Sequence, residues 1–564
     1  MYKLFLCLRY LRSRVIAYFA ILAVALCVTM MVIVVSVMNG FLNKIEQAAK
    51  GLFGDIVIEA SSQEGIARYD ELMAAIRRDV PEVEAATPFI ISYGVLQIPR
   101  QTHIRVAVQV AGIRLPERAQ VTDFAQGLFV QGGLATNSDP NRKLCPTFDP
   151  NRELVLRQIA EEGKKTDEII ARERARLAED GKKAAEITDL LDRLRTAKTY
   201  QDEGARHIRR ADADHREIVR LWKEADKAQA AGDSETVRRL EDQIADLQSY
   251  LYEADPNTRA ILGLGLPGLS IRTEQGETVR YMVPGSKVLL YIFPLGREIS
   301  PTGISPNMRM FSVADDCRTD VWSIDSGIVY VPFDTLQVLN NMDADRDRPK
   351  RCSQIQLKVR GSSGRRAPLP EGQLREVAGR IRAVWLKFRD ANPGAARDLE
   401  VKTWRQRQEA IIAPIESQRT LVTTMCGVIS LVAVVLIFVI FYMIVLQKTR
   451  EIGVMKALGA PGKGVAAIFL AYGSAVGLVG GILGTIGGRY FVHYINPIAD
   501  WIGRWLGIQP WSRKSYMFEK IPNTVDWTAA AFIVAAAMLA GLIGALAPAI
   551  WAARMQPVEA LRYE

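Results

Sequence analysis

Few of the residues that usually build catalytic or metal sites are present in this chain of 564 residues. It has only four histidines, His103, His207, His215 and His493, and no CxxC or HExxH spacing. A zinc site is therefore not predicted. No Ser/His/Asp arrangement typical of nucleophilic catalysis stands out. We predict that the chain is not itself an enzyme and holds no metal or cofactor.

A nucleotide-binding loop is also lacking. Gly462 and Lys463 fit the last part of the pattern G-x-x-x-x-G-K-[ST], which also needs Gly at 457 and Ser or Thr at 464. The chain has Ala457 and Gly464 there, and no β-strand pattern precedes them. We expect any ATP and Mg²⁺ used with this chain to bind a separate protein.

Cysteine is sparse. The predicted topology below leaves Cys145, Cys317 and Cys352 outside the cell membrane, so at most one disulfide can form within that part. Cys317 with Cys352 is the pair to test, and three free thiols are an equal alternative.

Charge is missing from four long apolar runs. Each contains at least 24 residues without a charged side chain, and about 20 suffice to cross a hydrocarbon core as a helix. The runs are 15–38, 420–447, 464–488 and 527–553. They predict a membrane protein with four transmembrane α-helices. The first run is too long for a signal peptide and is followed by no cleavage motif, so we expect it to stay attached.

Basic residues cluster where these runs end. Lys and Arg lie in 1–14, in 448–463 and in 554–564, which predicts that these three segments, and both termini, are cytoplasmic. The net charge of +10 fits this bias and contact with lipid headgroups. No basic surface with interleaved aromatics suggests nucleic-acid binding.

The long segment between the first and second spans alternates strand and helix patterns, which predicts a large α/β extracytoplasmic domain. Residues 151–260 differ, with 22 basic and 25 acidic side chains and no proline between Pro150 and Pro256. Val237, Leu240, Ile244, Leu247 and Leu251 follow a heptad spacing, so we predict an inserted helical hairpin or short coiled coil. A spacer arm and a docking site remain alternative roles for it.

The predicted organisation is thus as follows: N-terminus 1–14, spans 15–38, 419–447, 464–495 and 527–553, extracytoplasmic domain 39–149 and 261–418 including its stalks, insertion 150–260, cytoplasmic loop 448–463, outer loop 496–526 and tail 554–564.

The third span carries two rows of small residues. Gly473, Gly477 and Gly481 form one row, and Gly480, Gly484 and Gly488 form the other. Glycine at every fourth position lets membrane helices approach closely. Packing within the chain and a seam between two subunits are equally compatible with these rows.

The short stretch KTREIGVMKALGA (448–460) lies between two apolar runs. At about 100° per residue, Ile452, Met455, Leu458 and Gly459 fall on one face. The stretch resembles the cytoplasmic coupling loop of FtsX/MacB-class ABC permeases, and PAIWAARMQPVEALRYE resembles the C-terminus of that class. SVMNGF (36–41) and VQVAGI (108–113) are similar to the lipoprotein-releasing LolC/LolE group. The resemblance covers about 450 residues, and the insertion is outside it.

The resemblance implies a bacterial inner-membrane permease subunit that works with a separate ABC ATPase and a second, identical or different, permease subunit. It implies ATPase-coupling roles for Arg450, Glu451, Ile452, Gly453, Met455, Lys456, Leu458 and Gly459. Met455→Asp is then expected to uncouple hydrolysis from transport. For lipoprotein release, Val34, Val37, Met38 and Phe41 are the expected cargo contacts, with a periplasmic carrier as acceptor. Two alternatives are a MacB-like exporter of peptides or small molecules and FtsX-like signalling to a cell-wall hydrolase.

Overall fold

The computed structural model describes residues 15–60, 65–98, 101–131, 146–150, 152–179, 184–250, 255–273, 277–280, 282–294, 306–319, 321–344, 349–362, 369–393, 395, 398–506, 521 and 523–556. The chain forms two compact units. The helical unit is Met1–Glu46 with Glu409–Glu564, and the α/β unit is Gln47–Gln408.

The helices, in chain order, are α1 Val15–Phe53, α2 Tyr69–Asp79, α3 Leu115–Val121, α4 Phe124–Gly127, α5 Arg152–Glu179, α6 Ala184–Ala230, α7 Ser234–Tyr250, α8 Trp322–Asp325, α9 Phe333–Leu339, α10 Glu371–Ala391, α11 Trp404–Arg407, α12 Glu409–Gln447, α13 Thr449–Ala457, α14 Gly462–His493, α15 Ile495–Leu506 and α16 Trp527–Arg554.

The strands are β1 Ile56–Ala60, β2 Ile66–Ala67, β3 Val83–Ile98, β4 Gln101–Ile113, β5 Arg259–Gly263, β6 Ser270–Arg272, β7 Thr278–Arg280, β8 Lys287–Phe293, β9 Asn307–Cys317, β10 Ile328–Pro332, β11 Arg351–Cys352, β12 Gln354–Val359 and β13 Leu399–Thr403.

Four helices of the helical unit, α1, α12, α14 and α16, are long and apolar enough to cross a membrane. An uncharged segment forms a helix in lipid because every backbone N–H and C=O must be satisfied within the segment. The predicted combination of four apolar helices with a large α/β domain between the first and second is present. Both α1 and α12 are 39 residues long and are unbroken, although α12 contains Pro414.

The α/β unit is built on a nine-stranded mixed sheet in the order β13-β1-β12-β3-β4-β10-β5-β9-β8. Strand β3 is long enough to pair with β12 through its first half and with β8 through Tyr93–Gln97. The β3–β8 pairing closes β3, β4, β10, β5, β9 and β8 into a ring. The core of this region includes Ile261, Phe124 and Tyr330, and the last two rings meet edge to face.

The two ends of the α/β unit lie side by side because β1, its first strand, pairs antiparallel with β13, its last. Asp55 joins them to β12: its carboxylate accepts hydrogen bonds from Val359 N at 2.9 Å and Ser362 Oγ at 2.8 Å. Its carbonyl also accepts from Trp404 N. These contacts hold the first and last strands of the α/β unit to each other and to β12.

The insertion forms two successive antiparallel helix pairs, α5 with α6 and α6 with α7, where the sequence predicts a helical hairpin or short coiled coil. The 47-residue length of α6 is the reason, since its first half packs on α5 and its second half on α7. In the second pair, Leu240 and Ile244 of the predicted heptad are buried against Ile218, Leu221 and Ala225. Leu251 lies outside the described residues.

The first helix pair is part of the α/β unit's core. Ile169, Ile187 and Leu191 are buried with Ile271 and Val279 of the β6–β7 hairpin. A second cluster joins α5 and α6 to Val130 and Val283, and the Gln201 amide donates to Arg280 O at 3.0 Å. A free spacer arm therefore describes only the second pair.

No disulfide joins Cys317 to Cys352. Both thiols are free and buried, Cys317 at the end of β9 in the large sheet and Cys352 in the separate β2–β11 pair. Burial raises the pKa of each thiol well above its usual value. Cys145 lies outside the described residues.

Candidate coupling site

The short helix α13 begins where α12 ends, after a single break at Lys448. The Lys448 ammonium pairs with Glu451, and the Thr449 hydroxyl donates to Leu446 O at 2.8 Å. These contacts turn the chain at the end of α12. Gly459 has φ +94°, a left-handed conformation that favours glycine, and follows the end of α13.

The apolar face predicted to bind the ATPase is not the exposed face of α13. Ile452 is only 1% exposed, and Met455 packs against the same core as Ile452, formed by residues of α1, α12, α14 and α16. Gly453 is also buried. The chain's own helices cover these three residues, and their assignment to ATPase coupling stays a prediction.

The outward surface of α13 consists of other residues. Val454 is 45% exposed and Leu458 is 83% exposed, and both Arg450 and Glu451 are exposed. Residues i and i+4 lie one above the other on a helix, so Arg450, Val454 and Leu458 form one row. This row offers an apolar contact with a charge at one end, and we call it the outer row.

Lys456 points to α16. Its ammonium donates to Ala553 O and Met555 O, each at 2.6 Å. The last carbonyls of a helix lack intrahelical donors and carry the negative end of the helix dipole, so a cation is stabilised there. The backbone is also close at this point, since a Cβ on Gly462 would lie 2.8 Å from Ala553 O.

The two glycine rows of α14 face two different helices of the same chain. A Cβ on Gly473 would lie 2.6 Å from Gly541 O of α16, and one on Gly477 would lie 2.5 Å from Ala537 O. In the same way, Gly481 faces Val534 of α16 at 3.2 Å. The second row faces α1: the shortest approaches are Gly480 to Val24 at 2.8 Å, Gly484 to Ala25 O at 2.6 Å and Gly488 to Val32 at 2.8 Å. Within the described residues, both rows are thus occupied by packing inside the chain.

The outer end of α16 contacts α1. Asp526 is the N-cap of α16, and its Oδ1 accepts from Thr528 N at 3.0 Å and Ala529 N at 3.2 Å. Its Oδ2 accepts from Asn39 Nδ2 of α1 at 2.9 Å. Val34, Val37, Met38 and Phe41, the expected cargo contacts, are all half-buried around this point on α1.

Two buried carboxylates of the α/β unit, Asp315 and Asp316, are neighbours in the chain and have different partners. Arg280 Nη1 forms an ion pair with Asp316 Oδ2 at 2.7 Å. The Arg280 guanidinium also lies over the Phe129 ring, with its Cζ 3.2 Å from the ring centroid. Beside them, Asp315 accepts from Val130 N at 2.8 Å and Gln131 N at 3.1 Å, while burial raises the pKa of its carboxyl to about 6. In the part of the chain that the structure describes, no group of three or more His, Cys, Asp or Glu could hold a metal ion.

Comparison with known proteins matches two family models. Residues 423–557 match the FtsX-like permease C-terminal family, and residues 18–142 match the MacB-like periplasmic core domain. The predicted resemblance to the FtsX/MacB class is confirmed by these two matches.

Within that class, the chain is 24% identical over 304 residues to the lipoprotein-releasing system transmembrane protein LolC of Neisseria meningitidis, covering 54% of this chain and 65% of LolC. It is 22% identical over 294 residues to the macrolide export ATP-binding/permease protein MacB of Syntrophobacter fumaroxidans, covering 51% of this chain and 34% of MacB. An uncharacterized ABC transporter permease of Bacillus subtilis, YknZ, is 31% identical over 160 residues, which is 28% of this chain and 35% of YknZ. The chain thus spans less than two thirds of the length of each of these relatives.

Two contacts of this site were not expected from the sequence. Lys456 was assigned to ATPase coupling, whereas its ammonium binds the end of α16. Asn39 was noted only within the SVMNGF string, and its contact with Asp526 joins residues 487 positions apart. A lone polar residue at the edge of an apolar run is the signal that points to such contacts, although it does not name the partner.

Proposed function

We propose that this chain is the permease subunit of an ABC transporter in the bacterial inner membrane, with both termini in the cytoplasm. A separate ATPase binds ATP and Mg²⁺ and docks on α13, and a second permease subunit completes the pair. Hydrolysis moves the extracytoplasmic domain, and lipoproteins leave the membrane for a periplasmic carrier.

The outer row of α13 carries this proposal. Leu458 is 83% exposed on a short helix between two membrane-length helices, while Ile452, about 120° around that helix, holds it to the chain's own core. Part of α13 is packed on the chain's own core, and its exposed part is apolar. Such a helix is suited to bind a partner and to transmit force from it.

Lipoprotein release also fits the energetic requirement. A buried acyl CH₂ is worth about 0.8 kcal/mol, so extracting three acyl chains costs tens of kcal/mol without an acceptor. A coupled ATPase and an apolar acceptor surface are therefore required. Val34, Val37, Met38 and Phe41 follow the spacing of one helix face on α1, and we propose that the acyl chains pass this face.

The proposal is tested with two substitutions on α13, one at an exposed residue and one at a buried residue. Leu458→Asp is expected to abolish co-purification of the ATPase while the chain inserts and folds normally. Ile452→Asp is expected to lower folded yield instead, because it buries a charge in the helical core. Normal ATPase capture by Leu458→Asp would contradict the docking surface. Cargo is tested by depleting the chain and identifying the acylated proteins that accumulate in the inner membrane.

A MacB-like export role is the second candidate, because residues 18–142 match the MacB-like periplasmic core domain. Depletion would then lower resistance to exported compounds and leave lipoprotein sorting intact. A signalling role is tested through the second helix pair of the insertion, with residues 216–248 replaced by a short Gly-Ser linker. This replacement spares the clusters that α5 and α6 share with the rest of the α/β unit, which deletion of 151–260 would remove.

A further inference from the structure

The fourth apolar helix, α16, is held by a polar contact at each of its two ends. At its C-terminus, the Lys456 ammonium of α13 binds the carbonyls of Ala553 and Met555. At its N-terminus, the Asp526 carboxylate both caps the helix and accepts a hydrogen bond from Asn39 of α1. Each contact joins α16 to an element that the proposed function requires to move.

Between these ends α16 is one continuous helix, although it contains Pro548. Its 28 residues span about 42 Å at 1.5 Å per residue. Its middle contacts α14 backbone to backbone, since a Cβ on Gly541 would lie only 2.3 Å from Gly473 O. Helices packed this closely have little room to bend apart, so a displacement at one end reaches the other end.

The helix α1 can transmit a displacement of the outer end of α16 further along the chain. It runs without interruption from Val15 past Asn39 to Phe53. Its contact with α14 includes a hydrogen bond from the Thr29 hydroxyl to Gly484 O at 3.0 Å. A shift transmitted to Asn39 is therefore applied to a rigid helix rather than to a loop.

We propose that α16 transmits motion from α13 to α1 in this permease. The Lys456 contact couples α16 to the displacement of α13, and the Asp526–Asn39 hydrogen bond couples α1 to the displacement of α16. The inference rests on the proposed function, in which an ATPase pushes on α13. It differs from direct transmission along α12, the helix that precedes α13 in the chain. Lys456, Asp526 and Asn39 are positioning residues that touch neither nucleotide nor cargo.

The contacts can be broken and restored separately. Lys456→Met keeps the length of the side chain and removes its donors, and Lys456→Arg supplies donors again. Asn39→Asp places two carboxylates against each other. The double variant Asn39→Asp with Asp526→Asn restores one donor and one acceptor with their positions exchanged, and asparagine remains a good N-cap.

Motion is measured without reference to cargo. The native cysteines are replaced, and Asn43→Cys places a single thiol one turn beyond Asn39 at an exposed position. The full chain is purified with its ATPase, and the rate of maleimide labelling is compared in Mg-ATP and Mg-ADP. Lys463→Met and Asn523→Leu are controls near the two ends of α16, because Lys463 lies seven residues after Lys456, Asn523 lies three residues before Asp526, and both side chains are exposed.

We expect nucleotide to change the labelling rate in the parent chain and in both controls. Lys456→Met and Asn39→Asp should each reduce this change about fivefold or more, with ATPase capture and thermal stability retained. Lys456→Arg and the exchanged pair should recover it. A mere loss of stability would not be recovered by exchanging donor and acceptor.

Opposite outcomes separate this inference from the proposed function. Variants that respond to nucleotide like the controls would overturn transmission through α16 and favour transmission through α12. A parent chain whose labelling does not respond to nucleotide would overturn it as well. The variants could lose ATP-dependent labelling while the parent chain releases no lipoprotein. That result would support transmission through α16 and reject lipoprotein cargo.

Discussion

Substituting Gly473 by alanine tests whether close backbone contact holds α14 to α16. The added Cβ would lie 2.5 Å from Ala545 Cβ and 2.6 Å from Gly541 O. Favourable carbon–carbon contacts lie at about 3.5–4.0 Å, so the two helices must separate by about 1 Å. Neither obstacle is the flexible end of a long side chain, and the strain cannot be relieved by a change of rotamer.

The expected cost follows from this separation. A gap of 0.5–1 Å forfeits about a quarter to a half of each dispersion contact that it opens, and overpacking typically costs about 1–3 kcal/mol. Gly427→Ala on α12 is the matched control, since its Cβ would meet nothing within 4 Å. Both variants gain the helix propensity of alanine, up to about 1 kcal/mol. The difference between them therefore isolates the steric cost.

The assay is unfolding by SDS in mixed micelles, followed by the fluorescence of tryptophans such as Trp551 on α16. Gly473→Ala should unfold at a lower SDS fraction than the parent chain, and Gly427→Ala at an equal or higher one. Equal midpoints for the two variants would refute the conclusion that these helices touch through their backbones.

Three further results are expected for the α/β unit. Because burial raises the folded-state pKa of Asp315 to about 6, the folded state binds the extra proton, and this carboxyl should lower stability by up to about 3 kcal/mol as pH rises from 4 to 6; the unfolding midpoint of Asp315→Asn should lack that component, and identical pH profiles would contradict it. Arg280→Met leaves Asp316 buried without its partner and should lower the free energy of unfolding in urea by about 3–5 kcal/mol. Adding Asp316→Leu in a double variant should recover part of this loss, and a loss below about 1 kcal/mol for Arg280→Met would mean that the pair is solvated. Six Gly-Ser residues added after Gly232, which is open to solvent, should change stability by less than about 1 kcal/mol, measured by the same unfolding curve, and a larger loss would show that the turn is packed.

The sequence predicts well where composition decides the structure. Four uncharged runs must become helices in lipid, and the structure has α1, α12, α14 and α16 there. The spacing of Ile355, Leu357 and Val359 likewise predicts a strand, and all three are buried in β12, where Gln354 and Gln356 of the other face are buried as well. In both cases the pattern itself carries the physical constraint.

Prediction from sequence is weaker where two partners compete for the same residues. Ile452, Met455 and Leu458 share a helical face within about 120°, yet burial separates them: Ile452 is buried, Met455 is half-buried and Leu458 is exposed. Periodicity identifies an apolar face but does not say which protein covers it. The glycine rows of α14 show the same ambiguity, because small residues at every fourth position suit α1 and α16 as well as a second subunit.

The outer row follows from the position of α13 between two membrane-length helices. For a short helix at the end of a bundle, the largest apolar surface available for packing is that of the neighbouring helices. The bulky apolar residue of α13, Ile452, therefore packs against them. What remains for a partner is the opposite side, where Val454 and Leu458 are exposed beside Arg450. A contact that must form and release during each cycle of hydrolysis needs only a small apolar area, because a large one would hold the partner too tightly to cycle. In the proposed function, α13 would therefore bind the ATPase through its less hydrophobic face, while Ile452 on its more hydrophobic face holds it to the chain's own helices.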